Sequence, residues 1–328
     1  MNLHNFVELC MCPAPLGNEH TAKQLIRSML PNGLEISEDV AGSAIVRKPG
    51  EKPGLTFFAS LSQPVVLVTG KKSDGAWELQ PLGTGKTLEP MNGWKVMDSG
   101  GAQAKLGVKD GALRLTEDRG VQIGSLLTRQ PDWTQDVLSV SCAGIEDRVG
   151  CWLLTELLRE MPDVKAEITC IFLAQEQHCT KVAELAMNET DAAVAIRLAS
   201  AKVNDINLTG APVNAGGGPV LKLRERYVST DGRLMDLERM ACREAGVPFQ
   251  YEVLELDVTG LCTAQYGHCG VVVGGIDVPA EEGRILLTDL RNTRALVMQL
   301  AANADQIQQA LCSLPAVQHL AQTTKEER

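Results

Sequence analysis

The sequence predicts an α/β domain interrupted by a small β domain, and three observations carry that reading. From Asp147 onward, short apolar and β-branched runs alternate with segments of helical period, the signature of a layered α/β fold. Between about Gly70 and Val137 the texture changes to Gly, Pro and Asp around short β-type runs such as Trp94-Lys95-Val96-Met97, with no helical period. The chain has 328 residues, enough for about two domains.

The elements follow in order. Ala22, Leu25, Ile26 and Met29 recur at helical spacing after the turn Pro15-Leu16-Gly17-Asn18, which predicts a helix over Glu19 to Met29 lying on a sheet. Strands over Ser43 to Arg47 and Leu55 to Ala59 flank a Pro- and Gly-rich turn, a hairpin-like pattern. The expected inserted β domain covers 70–137, leaving 1–69 and 138–328 as one discontinuous α/β domain. Within the second part, helices are predicted over Asp147 to Met161, Thr180 to Met187, Met235 to Ala245 and Asp289 to Ala302, the third stopped by Gly246. Strands are predicted over Ala166 to Leu173, Ala192 to Leu198, Tyr251 to Leu256 and Gly270 to Ile276, and the polar tail from Thr323 should fray.

Composition narrows the partners. Acidic residues number 41 against 31 basic ones, and no Lys/Arg cluster offsets the net charge of −10, so nucleic acid and membrane surfaces are not expected partners. The opening Met1 to Cys10 has no secretory pattern and no stretch of about 18 apolar residues occurs, so the expected location is the cytoplasm. Ten cysteines are scattered without a Cys-x-x-Cys pair, which reads as reduced, largely buried thiols. Gly216-Gly217-Gly218 lacks the Lys-Ser/Thr ending of a phosphate loop.

Five local patterns, in order, resemble those of the M42 family of metal-dependent aminopeptidases. They are Cys12-Pro13-Ala14-Pro15-Leu16-Gly17-Asn18-Glu19, Leu82-Gly83 with Trp94-Lys95-Val96, Gly144-Ile145-Glu146-Asp147-Arg148-Val149-Gly150, Ala174-Gln175-Glu176-Gln177, and Gly216-Gly217-Gly218-Pro219-Val220. The resemblance implies a mixed-sheet, phosphorylase/hydrolase-like aminopeptidase domain with an inserted small β-barrel that is PDZ-like. It also implies subunit association through that insert, and hence a homo-oligomer; because the span 70–137 is shorter than the family's insert, a dimer is expected rather than the full cage.

The same resemblance implies two divalent metals bridged by a carboxylate, with a Glu activating the shared water. Carried over position by position, the family's His-x-Asp falls on Ser60-Leu61-Ser62, its bridging Asp on Glu146, and the second Glu of its pair on Gln177. Its next Asp falls on Arg197, a permanent cation without an acceptor, and its last His on Arg284 or, with a gap, Leu287. Glu176 alone keeps the family's residue, at the general-base position. No metal is therefore expected, and Arg197 is expected to neutralise Glu146 or Glu176 where the cations would lie.

The resulting expectation is an M42 aminopeptidase-like protein without its two-metal site, acting as a binding or regulatory protein for a peptide or small-molecule ligand. The alternative is an active peptidase or amidohydrolase with a rebuilt Zn, Co or Mn site, in which His178-Cys179 and His268-Cys269 join Glu176. Cys262 with His268 has the residue types of a nucleophile and base, without a nameable third group.

Overall fold

Ala166–Leu173 is a strand with every residue buried, and the rest of the architecture is arranged around it. The computed structural model describes residues 1–83, 88–204, 212–254, 260–266 and 271–312. The chain begins with α1 (His4–Met11) and α2 (His20–Met29), then β1 (Glu35–Glu38), β2 (Ala44–Lys48) and β3 (Glu51–Ser60). Six strands follow, β4 (Val65–Lys71), β5 (Trp77–Leu82), β6 (Lys95–Met97), β7 (Gln103–Lys109), β8 (Ala112–Arg119) and β9 (Leu126–Arg129). Next come β10 (Thr134–Gln135), β11 (Ser139–Ser141), a 3-10 turn over Ile145–Asp147, and α3 (Val149–Arg159). The remaining elements are β12 (Ala166–Leu173), α4 (Lys181–Asn188), β13 (Ala192–Lys202), β14 (Val220–Glu225), β15 (Val228–Ser229), α5 (Gly232–Ala245), β16 (Gln250–Leu254), α6 (Gly260–Ala264), β17 (Val272–Ala280), β18 (Arg284–Leu286), α7 (Leu287–Ala302) and α8 (Ala304–Cys312).

Among the described residues nine strands form a mixed sheet in the order β1-β2-β12-β3-β13-β17-β14-β15, with β16 also on β14. Its centre, β12-β3-β13-β17, is parallel, whereas β2 and β14 join antiparallel. This corrects the hairpin reading: β2 and β3 are not neighbours, because β12 lies between them. A strand buried on both faces belongs in the sheet interior, and β12 takes that place. Phe57 and Phe58 show the resulting two-sided burial. Phe57 packs in the core with Trp152, Leu234, Leu290 and Ile307 of α3, α5, α7 and α8. Phe58 packs in the opposite core with Val182 and Leu261 of α4 and α6.

The strands β4 to β9 form a separate sheet in the order β5-β4-β9-β6-β7-β8. Trp77 Nε1 on β5 donates to Asp118 Oδ2 on β8 at 3.2 Å, drawing the two ends of that order together into a nearly closed barrel. Val66, Val68, Met91, Val96, Leu106 and Leu127 fill it. Among the described residues no helix is long and apolar enough to cross a membrane.

Candidate functional site

Three polar groups lie at the strand ends and on one face of the large sheet. The first joins the ends of β3 and β12 to the start of α2. Ser62, fully buried, donates from Oγ to Glu19 Oε1 at 2.6 Å and accepts from the Gln175 amide at 2.6 Å. Glu19 Oε1 also accepts from the amides of Gly17 at 3.0 Å and Gln175 at 3.1 Å. Gln175 sits at φ +57°, a left-handed conformation uncommon for a residue with a Cβ, and these bonds hold it there. Ser60 Oγ turns back toward the Ser62 carbonyl at 3.5 Å, and the Ser60 carbonyl accepts from Cys151 Sγ at 3.1 Å.

The second group is a cleft of about 280 Å³ between the barrel and the large sheet, lined by Trp94 and Arg129 on one side and Gln63, Glu146, Asp147 and Gln177 on the other. The Arg129 guanidinium lies 4.4 Å from the centre of the Trp94 ring. Glu146 accepts from the Gly283 amide. Burial raises the Glu146 carboxyl, and the Gly283 hydrogen bond opposes that rise. Burial and then the Glu146 charge push Asp147 up to about 7, against Arg148 and Arg129. The site therefore holds a carboxyl that changes charge near neutrality.

The third group is a buried lattice of charge on the α4/α6 face. Arg197 Nε lies 3.9 Å from Glu176 Oε1, with the two side chains 12% and 4% exposed. Lys222 Nζ lies 2.9 Å from Asp277 Oδ2 and also bonds Glu252. Gly275 separates the two cations: it pairs with Arg197 in the register of β13 and β17, and a Cβ on it would come 2.7 Å from Lys222 Cγ. Glycine is thus required for Lys222 to lie across the sheet. Burial works to lower both cations, and the carboxylates Glu176, Asp277, Glu225 and Glu252 for Arg197, and Asp277, Glu252 and Glu225 for Lys222, outweigh it and hold both above their ordinary values. Neither cation gives up its proton near neutral pH.

The fold is shared with known proteins. The profile of the M42 glutamyl aminopeptidases matches residues 112–286, more than half of the chain. The chain belongs to the M42 family. A curated relative, "Putative aminopeptidase" of Acetivibrio thermocellus, is 23% identical over 288 residues, covering 80% of this chain and 86% of the relative. The aminopeptidase APDkam598 from Desulfurococcus kamchatkensis superposes with a TM-score of 0.84 at 16% identity, over 95% of this chain and 98% of that one. The Pyrococcus horikoshii TET1 peptidase, which can assemble into a tetrahedron or a large octahedral shell, gives a TM-score of 0.78 at 18% identity, over 91% and 98%. At these identities the structures establish the fold.

In this M42 chain the residues singled out by the sequence do not all meet. Glu176 and Arg197 do, Glu146 and Gln177 line the cleft, and Ser60 and Ser62 sit at the end of β3 in hydrogen bonds of their own. His178 and Cys179 are exposed on the turn after Glu176, while His268 and Cys269 lie outside the described residues. Cys262 is buried on α6 with its thiol 3.5 Å from Glu225 Oε1. Among the described residues no group of three or more His, Cys, Asp or Glu converges in the manner of a metal site. The Gly216-Gly217-Gly218 turn holds an internal anion: the Gly216 and Gly218 amides donate to Asp289 at 2.7 and 3.0 Å. Sequence reasoning missed Lys222, Glu252 and Asp277. The only signal available was a pair of glycines, Gly274-Gly275, inside a strand pattern, which marks a close approach.

Proposed function

We propose that this M42 protein is a non-catalytic binding or regulatory protein in which side-chain cations stand where the family's chemistry requires metal ions. The observation that carries the reading is the Arg197–Glu176 pair at 3.9 Å. A fixed guanidinium beside the residue at the general-base position supplies the charge a metal would supply, without any open coordination position or bound water. The neighbouring donors do not fit a metal pair either. The Ser62 hydroxyl already donates to Glu19 and accepts from Gln175, the Gln177 amide is neutral, and a serine hydroxyl is a poor ligand for zinc or cobalt.

The cleft beneath Trp94 and Arg129 is the binding site in this reading. Its size suits a small molecule or the end of a peptide, and Glu146 with Asp147 gives it an acidic floor. Barrel strands β5 to β9 lie within the span 70–137 that the family resemblance treats as a PDZ-like insert, while β4 (Val65–Lys71) begins before it; we assign the span 70–137 to self-association, with 1–69 and 138–328 as the aminopeptidase-like domain. The tetrahedral or octahedral assembly of the Pyrococcus relative supports a homo-oligomer, and a cytoplasmic setting is part of the same reading.

The test is hydrolysis of aminoacyl p-nitroanilides and short peptides by the purified full chain with added zinc, cobalt or manganese. The reading expects no turnover above buffer with any metal. Turnover that a chelator abolishes would establish the rebuilt-site enzyme instead.

A further inference from the structure

The sequence contains two Asn-Gly pairs, Asn32-Gly33 and Asn92-Gly93, and the fold treats them in opposite ways. Asn32 and Gly33 form the exposed turn between α2 and β1. Gly33 sits at φ +93°, with nothing within 4 Å of the place a Cβ would take. Among the described residues neither the Asn32 side chain nor the Gly33 amide makes a hydrogen bond.

Asn92 is exposed as well, and Gly93 sits at φ +86°, but here both groups are engaged. Asn92 Oδ1 accepts from the Val108 amide at 3.0 Å, and the Gly93 amide donates to the Leu106 carbonyl at 2.9 Å. The Leu106 amide returns a bond to the Trp94 carbonyl at 2.8 Å, so the segment from Asn92 to Trp94 is laced to β7. We propose that Asn32-Gly33 is a site of spontaneous deamidation and isoaspartate formation in the folded protein, and that the same dipeptide at Asn92-Gly93, beside the Trp94 wall of the cleft, is held unreactive by its bonds to β7.

The reaction needs only water. The Gly33 backbone nitrogen attacks the Asn32 side-chain carbonyl carbon, and the absence of a Cβ on Gly33 leaves that approach open. The new N–C bond closes a succinimide ring, the bond from that carbon to Nδ2 breaks, and Nδ2 takes the proton given up by the Gly33 nitrogen and leaves as ammonia. Water then adds to one of the two ring carbonyls and reopens the ring. Opening at the side-chain carbonyl gives aspartate, and opening at the backbone carbonyl gives isoaspartate, in which the main chain runs through the former side chain. Nothing is oxidised or reduced. At Asn92 the same attack requires the Gly93 nitrogen to give up Leu106 and the side chain to give up Val108.

The product falls just beyond the C-terminal end of α2, where the helix dipole disfavours a new negative charge. Lys23 Nζ and Arg27 each lie 2.9 Å from Glu38, so α2 and β1 remain fastened on either side of the turn while the backbone between them lengthens by one methylene. The altered turn is therefore retained in a folded chain. This inference does not depend on whether the cleft binds or hydrolyses its ligand.

The experiment ages full-length protein in neutral buffer at physiological temperature, folded and, in parallel, in guanidinium chloride, and digests both samples with trypsin. Cleavage places Asn32 in residues 28–47 and Asn92 in residues 87–95. Mass spectrometry reads the exchange of amide for acid in each peptide, and an isoaspartyl methyltransferase with labelled S-adenosylmethionine marks the isoaspartate. In denaturant the two pairs should react at similar rates. In the folded protein Asn32 should keep close to its unfolded rate, while Asn92, which has two hydrogen bonds to open first, should react at least about tenfold more slowly. Asn32→Gln should remove the methyl label from the folded protein. Folded Asn32 as slow as folded Asn92, folded Asn92 as fast as in denaturant, or a label undiminished by Asn32→Gln would overturn the proposal.

Discussion

The Arg197 guanidinium lies 3.9 Å from the Glu176 carboxylate, with both side chains almost wholly enclosed. Arg197 projects from the middle of β13 and Glu176 from the turn after β12, so the pair spans β3, the strand between them. Removing the cation leaves the enclosed Glu176 carboxylate without the guanidinium beside it. Arg197→Ala should therefore destabilise the protein by about 3 kcal/mol, the cost of breaking rather than replacing a buried pair. Urea unfolding measures it, and a midpoint equal to wild type would show that the pair contributes nothing.

Lys222 makes the closer contacts, 2.9 Å to Asp277 and a shorter one to Glu252. Lys222→Met keeps the aliphatic stem over Gly275 and deletes only the charge. The expected loss is about 4 kcal/mol, and much of it should return in the Lys222→Met, Glu252→Gln, Asp277→Asn triple variant. A triple variant no more stable than the single one would mean that packing, not charge, is the larger contribution.

Glu238 gives a pH prediction. It lies on α5, fully buried, against the Gly274 side of β17, and among the described residues both carboxylate oxygens lack hydrogen-bond partners. Burial pushes its carboxyl up to about 8, with only Arg239 opposing. The unfolded chain ionises this group near the ordinary carboxylate value while the folded chain still holds the proton. Stability from this group is therefore full in acid, falls as pH rises from about 4.5 toward 8, and is flat above that. Glu238→Gln should abolish that slope and stabilise the protein by about 4 kcal/mol at pH 8. Denaturant midpoints for both proteins across that range check it, and parallel curves would refute it.

Restoring single residues should not restore activity. Ser60→His, Ser62→Asp and Arg197→Asp each leave the other positions unchanged, and Ser62→Asp also sets a new carboxylate against Glu19, which now accepts from the Ser62 hydroxyl. No hydrolysis of aminoacyl p-nitroanilides is expected from any of the three. Turnover from one substitution would show that the correspondence of positions is wrong.

Static light scattering over a range of concentrations should give a symmetric oligomer, a dimer before a closed cage, because a cage needs a second independent interface. A monomer at every concentration would contradict the role assigned to the inserted span.

Much of this was legible in the sequence where one segment decides its own environment. The apolar run of β12 and the stop of α5 at Gly246 needed only local pattern. The place of β12 between β2 and β3 was not legible, because strand order is set by which long-range partners bury both faces and a short Pro-Gly turn imitates a hairpin. The site divides in the same way. Arg197 stood out as a cation where a carboxylate was expected, but Lys222, Glu252 and Asp277 meet only through the registers of β14, β16 and β17, which no local spacing encodes. Ser62 looked like a lost ligand, and its bonds to Glu19 and Gln175 show that it clasps three chain segments instead.

The central claim is that fixed cations stand in for metal ions at this site, and metal binding by the untagged full chain tests it most directly. Elemental analysis of the purified protein, followed by calorimetric titration with zinc, cobalt and manganese, is the measurement. The account predicts no stoichiometric metal as purified and no saturable two-site binding on titration. Two tightly bound divalent ions per chain, lost when Glu176 is changed to Gln, would contradict it.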